Sequence, residues 1–528
     1  MWGWRSSRTV VLSAAIAAFA FFCLAPIAFM IAIPLRDSSR TLAPYAALLL
    51  DARQRGLLYN TTILGLGTAL TATFVGVPLG LALARMALPF KTGLRIALSA
   101  PLLLPSYVVG LAWISLGGGT GILTEGIGLQ VPSEWIYSLA GATFVLTLVL
   151  YPLSMLATET AVRRVEPRLE EAGLLVATPG RVLWRITLPL IAPSITAAAL
   201  VVFVLAVSEF GVPALLRVRV FTTEVFTAFA ALYDFGRATV LAMPLLLLAT
   251  FVAVLATRLA GERLVVTRRG HVGGQPVAFA AWQRVAAGAA ACVGLVALGL
   301  PLALLAREAR GIDSWARVVQ GARDAVVNSL TLAAYGATAV TAVAVWLGYA
   351  RARAPRGLGI AADVLFVVLF AVPSTVVGIG VIQLWNRPGI AGALYGTNAM
   401  FVVVYLVRFV PVAALALAAS LRRVPVSHEE AAAVSGAGWL RTMSHVVLPQ
   451  IALGALSVWV IVFVLAFGEL GASVLVTPPG ESTLPIRIYT LIANAPPAEV
   501  AALALLQAVV VFCPLALMGL GLAAKGRR

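Results

Sequence analysis

Twelve stretches of this 528-residue chain are apolar and about as long as a bilayer is thick, which leaves few folds open to it. They lie near 9–35, 57–84, 95–116, 137–161, 190–216 and 238–259, then near 285–306, 326–350, 358–385, 398–420, 449–475 and 498–524. A helix needs about 20 mostly apolar residues to cross a membrane. Inside lipid each run must satisfy its own backbone groups, so helices are the expected form. The expectation is an all-α integral membrane protein with about twelve transmembrane helices. Hydrophobic residues make up 61% and charged residues 11%, where a soluble chain carries about a quarter charged.

The net charge of +17 could suggest nucleic acid, but its distribution argues for topology instead. Arginines gather between apolar runs: Arg163, Arg164 and Arg168; Arg263, Arg268 and Arg269; Arg351, Arg353 and Arg356; Arg422 and Arg423; Arg527 and Arg528. Basic residues stay on the cytoplasmic side, so no nucleic-acid partner is expected. An even number of crossings, with Arg5 and Arg8 at one end and Lys525, Arg527 and Arg528 at the other, predicts two cytoplasmic termini. The first apolar run exceeds the h-region of about 7–15 residues found in signal peptides, so it reads as an uncleaved span. Cys23, Cys292 and Cys513 are far apart within apolar runs, and no metal-ligand or disulfide spacing exists.

The chain repeats itself. Tyr59-Asn60-Thr61-Thr62 corresponds to Val327-Asn328-Ser329-Leu330, and Pro105-Ser106-Tyr107-Val108-Val109-Gly110 to Pro373-Ser374-Thr375-Val376-Val377-Gly378, both 268 residues apart. Ser208-Glu209-Phe210-Gly211 corresponds to Gly468-Glu469-Leu470-Gly471, 260 apart. The shortening fits a smaller outward loop at 386–397 than at 117–136. Six crossings per half make the repeats parallel. The predicted organisation is a first half at 1–260, a polar cytoplasmic linker at 261–284 and a second half at 285–528.

Each half carries one charged loop after its fourth span. Glu170-Glu171-Ala172 leads to Ile186-Thr187-Leu188-Pro189, and Glu430-Ala431-Ala432 to Val446-Val447-Leu448-Pro449, with 19 positions from Glu170 to Pro189 and from Glu430 to Pro449. Acidic residues followed by small ones suit the positive end of a short helix. Turns are expected at Pro179-Gly180 and at Gly436 with Gly438. An ordinary interfacial loop explains one such segment, but two copies at one spacing point to a docking surface for a partner.

The loops resemble the EAA loop of permease subunits in binding-protein-dependent ABC importers: Glu-Ala-Ala, a glycine six residues after the glutamate, then hydrophobic-x-Leu-Pro. The second copy matches at Glu430, Ala431, Ala432, Gly436, Val446, Leu448 and Pro449. The first matches at Glu170, Ala172, Ile186, Leu188 and Pro189, with Glu171 at the first alanine position and Val176 at the glycine. The resemblance implies the type I ABC importer permease fold in a bacterial inner membrane. It also implies coupling helices seated in two copies of a cytoplasmic ATP-binding subunit, and a periplasmic solute-binding protein as a further partner besides membrane lipid. Only Lys91 and Lys525 are lysines, and neither follows a glycine-rich phosphate loop. ATP is therefore expected on a separate subunit, with no cofactor on this chain.

Glu209 and Glu469 fall at equivalent apolar positions, where an ionised carboxylate costs about 2.5–3.5 kcal/mol on insertion scales. They either line a translocation pathway suited to a cationic cargo or fix helix packing by pairing with an arginine. Arg408, within Tyr405-Leu406-Val407-Arg408-Phe409, is a candidate partner. Asn60 and Asn328 read equally as caps, interhelical hydrogen bonds or substrate contacts, and Gly76 and Gly80 as packing positions. His271, His428 and His445 lack ligand spacing, so no metal site is expected.

The surroundings of Glu209 and Glu469, with Thr222-Thr223-Glu224 and Leu484-Pro485-Ile486-Arg487-Ile488-Tyr489, look like the fused twelve-helix permeases of the ferric iron importer group. That resemblance implies Fe(III) as cargo; similar permeases carry thiamine, aminoethylphosphonate or polyamines. A secondary transporter also has two parallel six-helix halves but needs no repeated docking loop. A membrane enzyme is disfavoured by the lack of any convergent catalytic set.

Overall fold

The computed structural model describes residues 2–36, 51–117, 133–261, 280–311 and 315–525. Most of the expected linker and of the 117–136 loop, with Arg263, Arg268, Arg269, His271, Arg527 and Arg528, lies outside the described residues. No strand occurs among those described.

Among the described residues, nine helices are long and apolar enough to span a membrane. They are span 1 (Ser7–Ala32), span 2 (Ala52–Arg85), span 4 (Leu139–Val162), span 5 (Pro179–Ser208), span 6 (Phe235–Leu259), span 7 (Trp282–Glu308), span 8 (Arg323–Ala352), span 10 (Ala399–Leu421) and span 11 (Trp439–Phe467). Spans 3 and 9 are bent pairs, Lys91–Leu103 with Ser106–Gly117 and Arg356–Ala371 with Ser374–Trp385, each turning by 95°. Helix Pro497–Lys525 follows at the place of the expected twelfth span, and its part Pro497–Cys513 is a shorter apolar helix.

Both bends are written in the sequence as Leu104-Pro105 and Val372-Pro373. Proline disfavours the α region for the residue before it. Leu104 is extended at φ −76°, ψ 135° and Val372 at φ −61°, ψ 125°. The helix stops and restarts on the far side of the ring.

Spans 5 and 11 depart from the expected 190–216 and 449–475. Each begins about ten residues earlier, because the second short helix of the charged loop runs straight into the membrane helix. Each ends earlier, at Ser208 with Glu209 extended after it, and at Phe467 with Gly468 between it and Glu469. Spans 2 and 4 lie in close contact at Gly76 and Gly80. A Cβ on Gly76 would stand 2.7 Å from the Tyr151 carbonyl oxygen, and one on Gly80 2.5 Å from that of Met155. Only small residues let two helix backbones come this near.

The first span of each half packs against the other half. Span 1 lies on spans 8, 9 and 10. Phe19 meets the Phe366 ring edge-on at 5.4 Å, Phe22 stacks on Trp385 at 6.0 Å, and the Cys23 thiol donates to the Leu406 carbonyl at 3.4 Å. Span 7 lies on span 3 in turn. Nothing local in the sequence encodes this exchange.

Candidate functional site

The two charged loops form the same device twice. Helix Pro167–Leu174 precedes span 5, and helix Val426–Val434 precedes span 11. In each helix one glutamate turns inward and the next outward. Glu170 is buried, ion-paired to Arg85 at 2.8 Å and accepting from Thr187 Oγ1 at 2.7 Å. Glu429 is buried, accepts from Arg353 Nη2 at 2.6 Å and Nε at 2.8 Å, and from Tyr349 Oη at 2.7 Å. Arg85 ends span 2 and Arg353 follows span 8, so each pair clamps the loop helix to the second span of its own half.

This geometry corrects the register read from the Leu-Pro ends. Glu170 corresponds to Glu429, not Glu430, while Glu171 and Glu430 are the exposed partners. Ala172 then matches Ala431, and Gly173 matches Ala432. The second loop holds one more residue in its turn: Ala437 N donates to Ala432 O at 3.0 Å, whereas Ala177 N donates to Gly173 O at 2.9 Å. That longer turn needs a left-handed residue, supplied by Gly436 at φ +80°. The first turn closes without one, which is why Val176 is tolerated. A signal for the correct register was present: Arg163-Arg164-Val165 through Glu170-Glu171-Ala172 aligns with Arg422-Arg423-Val424 through Glu429-Glu430-Ala431 at a constant 259 residues. Arg85 and Arg353 share the 268-residue offset of Asn60 and Asn328.

A Cβ on Gly436 would meet nothing within 4 Å, so substitution there tests conformation alone. Gly436→Ala should cost about 1–2 kcal/mol for the left-handed backbone. Exchange of the Ala437 amide should accelerate roughly 5- to 30-fold by hydrogen–deuterium exchange. Gly180, also exposed with open space around it, has no such constraint, and Gly180→Ala should leave its loop unchanged.

The Leu-Pro signature has a mechanical reading. Five-residue π turns, Leu183–Thr187 and Met443–Val447, come just before Leu188-Pro189 and Leu448-Pro449. Proline lacks the amide that would bond four residues back, and a wider turn accommodates that gap inside a continuous helix. Beyond the clamps, both loops expose apolar tips: Leu175 is 86%, Val176 85% and Val434 90% exposed. Trp439 differs from Trp184, being fully buried against Trp346 and Tyr349, with Val11 and Leu12 of span 1 at the edge of its cluster.

The second candidate region is the seam between the halves. Glu209 Oε1 accepts from Ser106 Oγ at 2.7 Å and Gly211 N at 3.0 Å. Glu469 accepts from Ala472 N at 2.9 Å, from Ser473 N at 2.8 Å and from the Ser473 hydroxyl. Both carboxylates therefore cap the short helices that follow, Gly211–Leu215 and Ser473–Val476. Arg408 Nε lies 3.9 Å from Glu469 Oε1. Direct links cross the seam: Tyr107 Oη donates to Gln507 Oε1 at 2.7 Å, Gln383 Nε2 to Thr239 Oγ1 at 2.7 Å, and Ser208 Oγ to the Ala371 carbonyl at 3.3 Å. Phe210 and Phe226 of the first half close on Tyr489 of the second at 5.8 Å and 6.3 Å.

Asn60 and Asn328 serve as inter-segment ties. Asn60 Nδ2 donates to Arg219 O at 3.0 Å, and Asn328 Nδ2 to Glu481 Oε2 at 2.6 Å. The neighbouring Thr61 and Ser329 hydroxyls accept from Phe221 N at 3.0 Å and Leu484 N at 2.6 Å. No group of three or more metal-ligating side chains occurs among the described residues.

Residues 314–522 match the family of binding-protein-dependent transport system inner membrane components. The chain is 25% identical to the Fe(3+)-transport system permease protein FbpB 2 of Haemophilus influenzae over 471 residues, covering 86% of this chain and 88% of that protein. It is 30% identical over 230 residues to a protein described as a 2-aminoethylphosphonate transport system permease, PhnV, of Salmonella paratyphi A, covering 39% of this chain and 83% of that protein. It is also 30% identical over 171 residues to the molybdenum transport system permease protein ModB of Mycobacterium bovis, covering 32% of this chain and 63% of that protein.

Proposed function

The chain belongs to the binding-protein-dependent transport system inner membrane components, and from that premise we propose that it moves Fe(III) from a binding protein into the cytoplasm. It is a multi-pass inner-membrane permease of an ABC importer; the cargo, the partners' copy number and the orientation are our reading. The observation that carries it is the duplicated loop. A buried Arg–Glu clamp holds each loop helix rigid while an exposed glutamate and an apolar tip face outward. Such a surface suits a cytoplasmic ATP-binding subunit, one copy per loop, with both termini on that side. Glu171 and Ala172 in one loop, Glu430 and Ala431 in the other, are the contact residues. Closure of the ATPase pair would push the loops, and the continuous helices through Leu188-Pro189 and Leu448-Pro449 would carry the push into spans 5 and 11.

The iron reading is favoured because similarity to the ferric permease runs through most of both chains, whereas the phosphonate and molybdenum relatives align with about a third of this one. We place the route along the seam, with Glu209 and Glu469 in its walls.

The test is reconstitution. The purified chain alone should hydrolyse no ATP, and assembly with its ATP-binding subunit should give hydrolysis stimulated by the iron-loaded binding protein. Glu171→Ala with Glu430→Ala should abolish copurification of that subunit. Uptake of radiolabelled Fe(III) without any ATPase would overturn the importer reading, and ATP-driven uptake that excludes Fe(III) would overturn the cargo.

A further inference from the structure

Arg408 lies nine residues into span 10, about 14 Å from its start at 1.5 Å per residue, near the middle of a hydrocarbon layer about 30 Å thick. Its Nε and Nη1 atoms are covered and have no hydrogen-bond partner. Buried guanidinium groups are ordinarily paired and hydrogen-bonded, because leaving them unsatisfied is costly. Here the closest carboxylate, at 3.9 Å, is beyond hydrogen-bond length and already accepts from two amides and a hydroxyl. Glu209 Oε1, from the other half, is engaged by Ser106 and Gly211. The seam holds a further idle donor, Gln507 Nε2, whose Oε1 takes the Tyr107 hydroxyl. Both carboxylates thus act as caps, and the unpartnered side-chain atoms at the seam include these donors beside one acceptor, Gln383 Oε1.

Donors left over at a seam that must part to pass cargo call for an acceptor with negative charge. We propose that Arg408 binds an anionic oxygen ligand carried by the cargo, so that what crosses is an oxyanion or an oxyanion-liganded metal rather than a bare cation. This rests on the permease reading above and narrows its substrate class. A hard trivalent ion keeps oxygen ligands, so the site and an Fe(III) cargo are compatible. Arg408 suits the role because a guanidinium presents a planar fork of donors that never loses its charge. In the closed seam Nε and Nη1 are covered, and separation of the halves exposes them to the route.

The alternative is that Arg408 only balances Glu469. Two measurements on wild type, Arg408→Lys, Arg408→Gln and Arg408→Gln/Glu469→Gln separate the two roles. The full-length chain in lipid nanodiscs, without ATPase subunits, is heated with inorganic phosphate or with chloride at equal ionic strength. Wild type should show saturable stabilisation specific to phosphate, weaker in Arg408→Lys and absent in both Gln variants. In cells carrying the whole system, Fe(III) uptake should fall about tenfold or more in Arg408→Gln, stay low in the double variant and be partly retained in Arg408→Lys. Recovery of uptake in the double variant would reduce Arg408 to a counter-ion and overturn the proposal. So would a phosphate response missing from wild type or surviving in Arg408→Gln. Wild-type cells that respond to phosphate in vitro but import no iron would refute the cargo assignment alone.

Discussion

Arg353→Met is expected to cost about 3–5 kcal/mol, because it strands the buried Glu429 carboxylate without its charge partner. The loss should appear as a lower unfolding temperature of the purified protein and as transport uncoupled from ATP hydrolysis. Tyr349 still donates to Glu429, but a neutral hydroxyl does not replace a guanidinium giving two nitrogens to one oxygen. Arg85→Met should act alike on the first loop, since among the described residues Glu170 would keep the Thr187 hydroxyl in place of a charged partner. The informative companion is Arg353→Met with Glu429→Leu. Replacing a whole buried pair with apolar residues is often neutral or stabilising, so stability should return while the loop loses its fixed orientation. A single variant as stable as wild type would mean that the pair does not anchor the loop.

Trp439→Ala should be comparably severe, at about 3–5 kcal/mol for truncating a fully buried tryptophan. Its ring fills the space between the second loop, Trp346 and Tyr349 of span 8, and the Val11–Leu12 stretch of span 1. The cavity would loosen the first span from the second loop, an effect read as faster amide exchange around residues 8–15 along with lower thermal stability. Trp184→Ala in the other loop is the control. That ring is 73% exposed, so its loss should leave stability within about 0.5 kcal/mol. Equal effects from the two substitutions would show that the loops are braced alike and that the span 1 contact carries no load.

The features legible in the sequence were those with a local cause. Apolar runs gave the helices because lipid admits no other backbone solution for an unclosed chain. Pro105 and Pro373 marked the two bends, and Gly76 with Gly80 marked a close helix crossing. Spacing counted back from Pro189 and Pro449 gives a loop register one residue off. The second turn holds an additional residue at Gly436, and counting forward from Arg163-Arg164 and Arg422-Arg423 avoids the error. The capping role of Glu209 and Glu469 was not legible, since an apolar neighbourhood does not reveal that the helix stops just before the carboxylate. The exchange of spans 1 and 7 left no trace either, because a helix apolar on most faces does not declare its neighbour.

Cys23 finds its acceptor, Leu406, 383 residues further along the chain. At a synthesis rate of about 5–20 residues per second, roughly 20–80 seconds pass between the emergence of the two. Span 1 must therefore wait in the lipid, its Phe19 and Cys23 faces covered by acyl chains, until residue 406 of 528 has been translated. The native arrangement is a late event in biogenesis, and truncated nascent chains, however well inserted, cannot reach it.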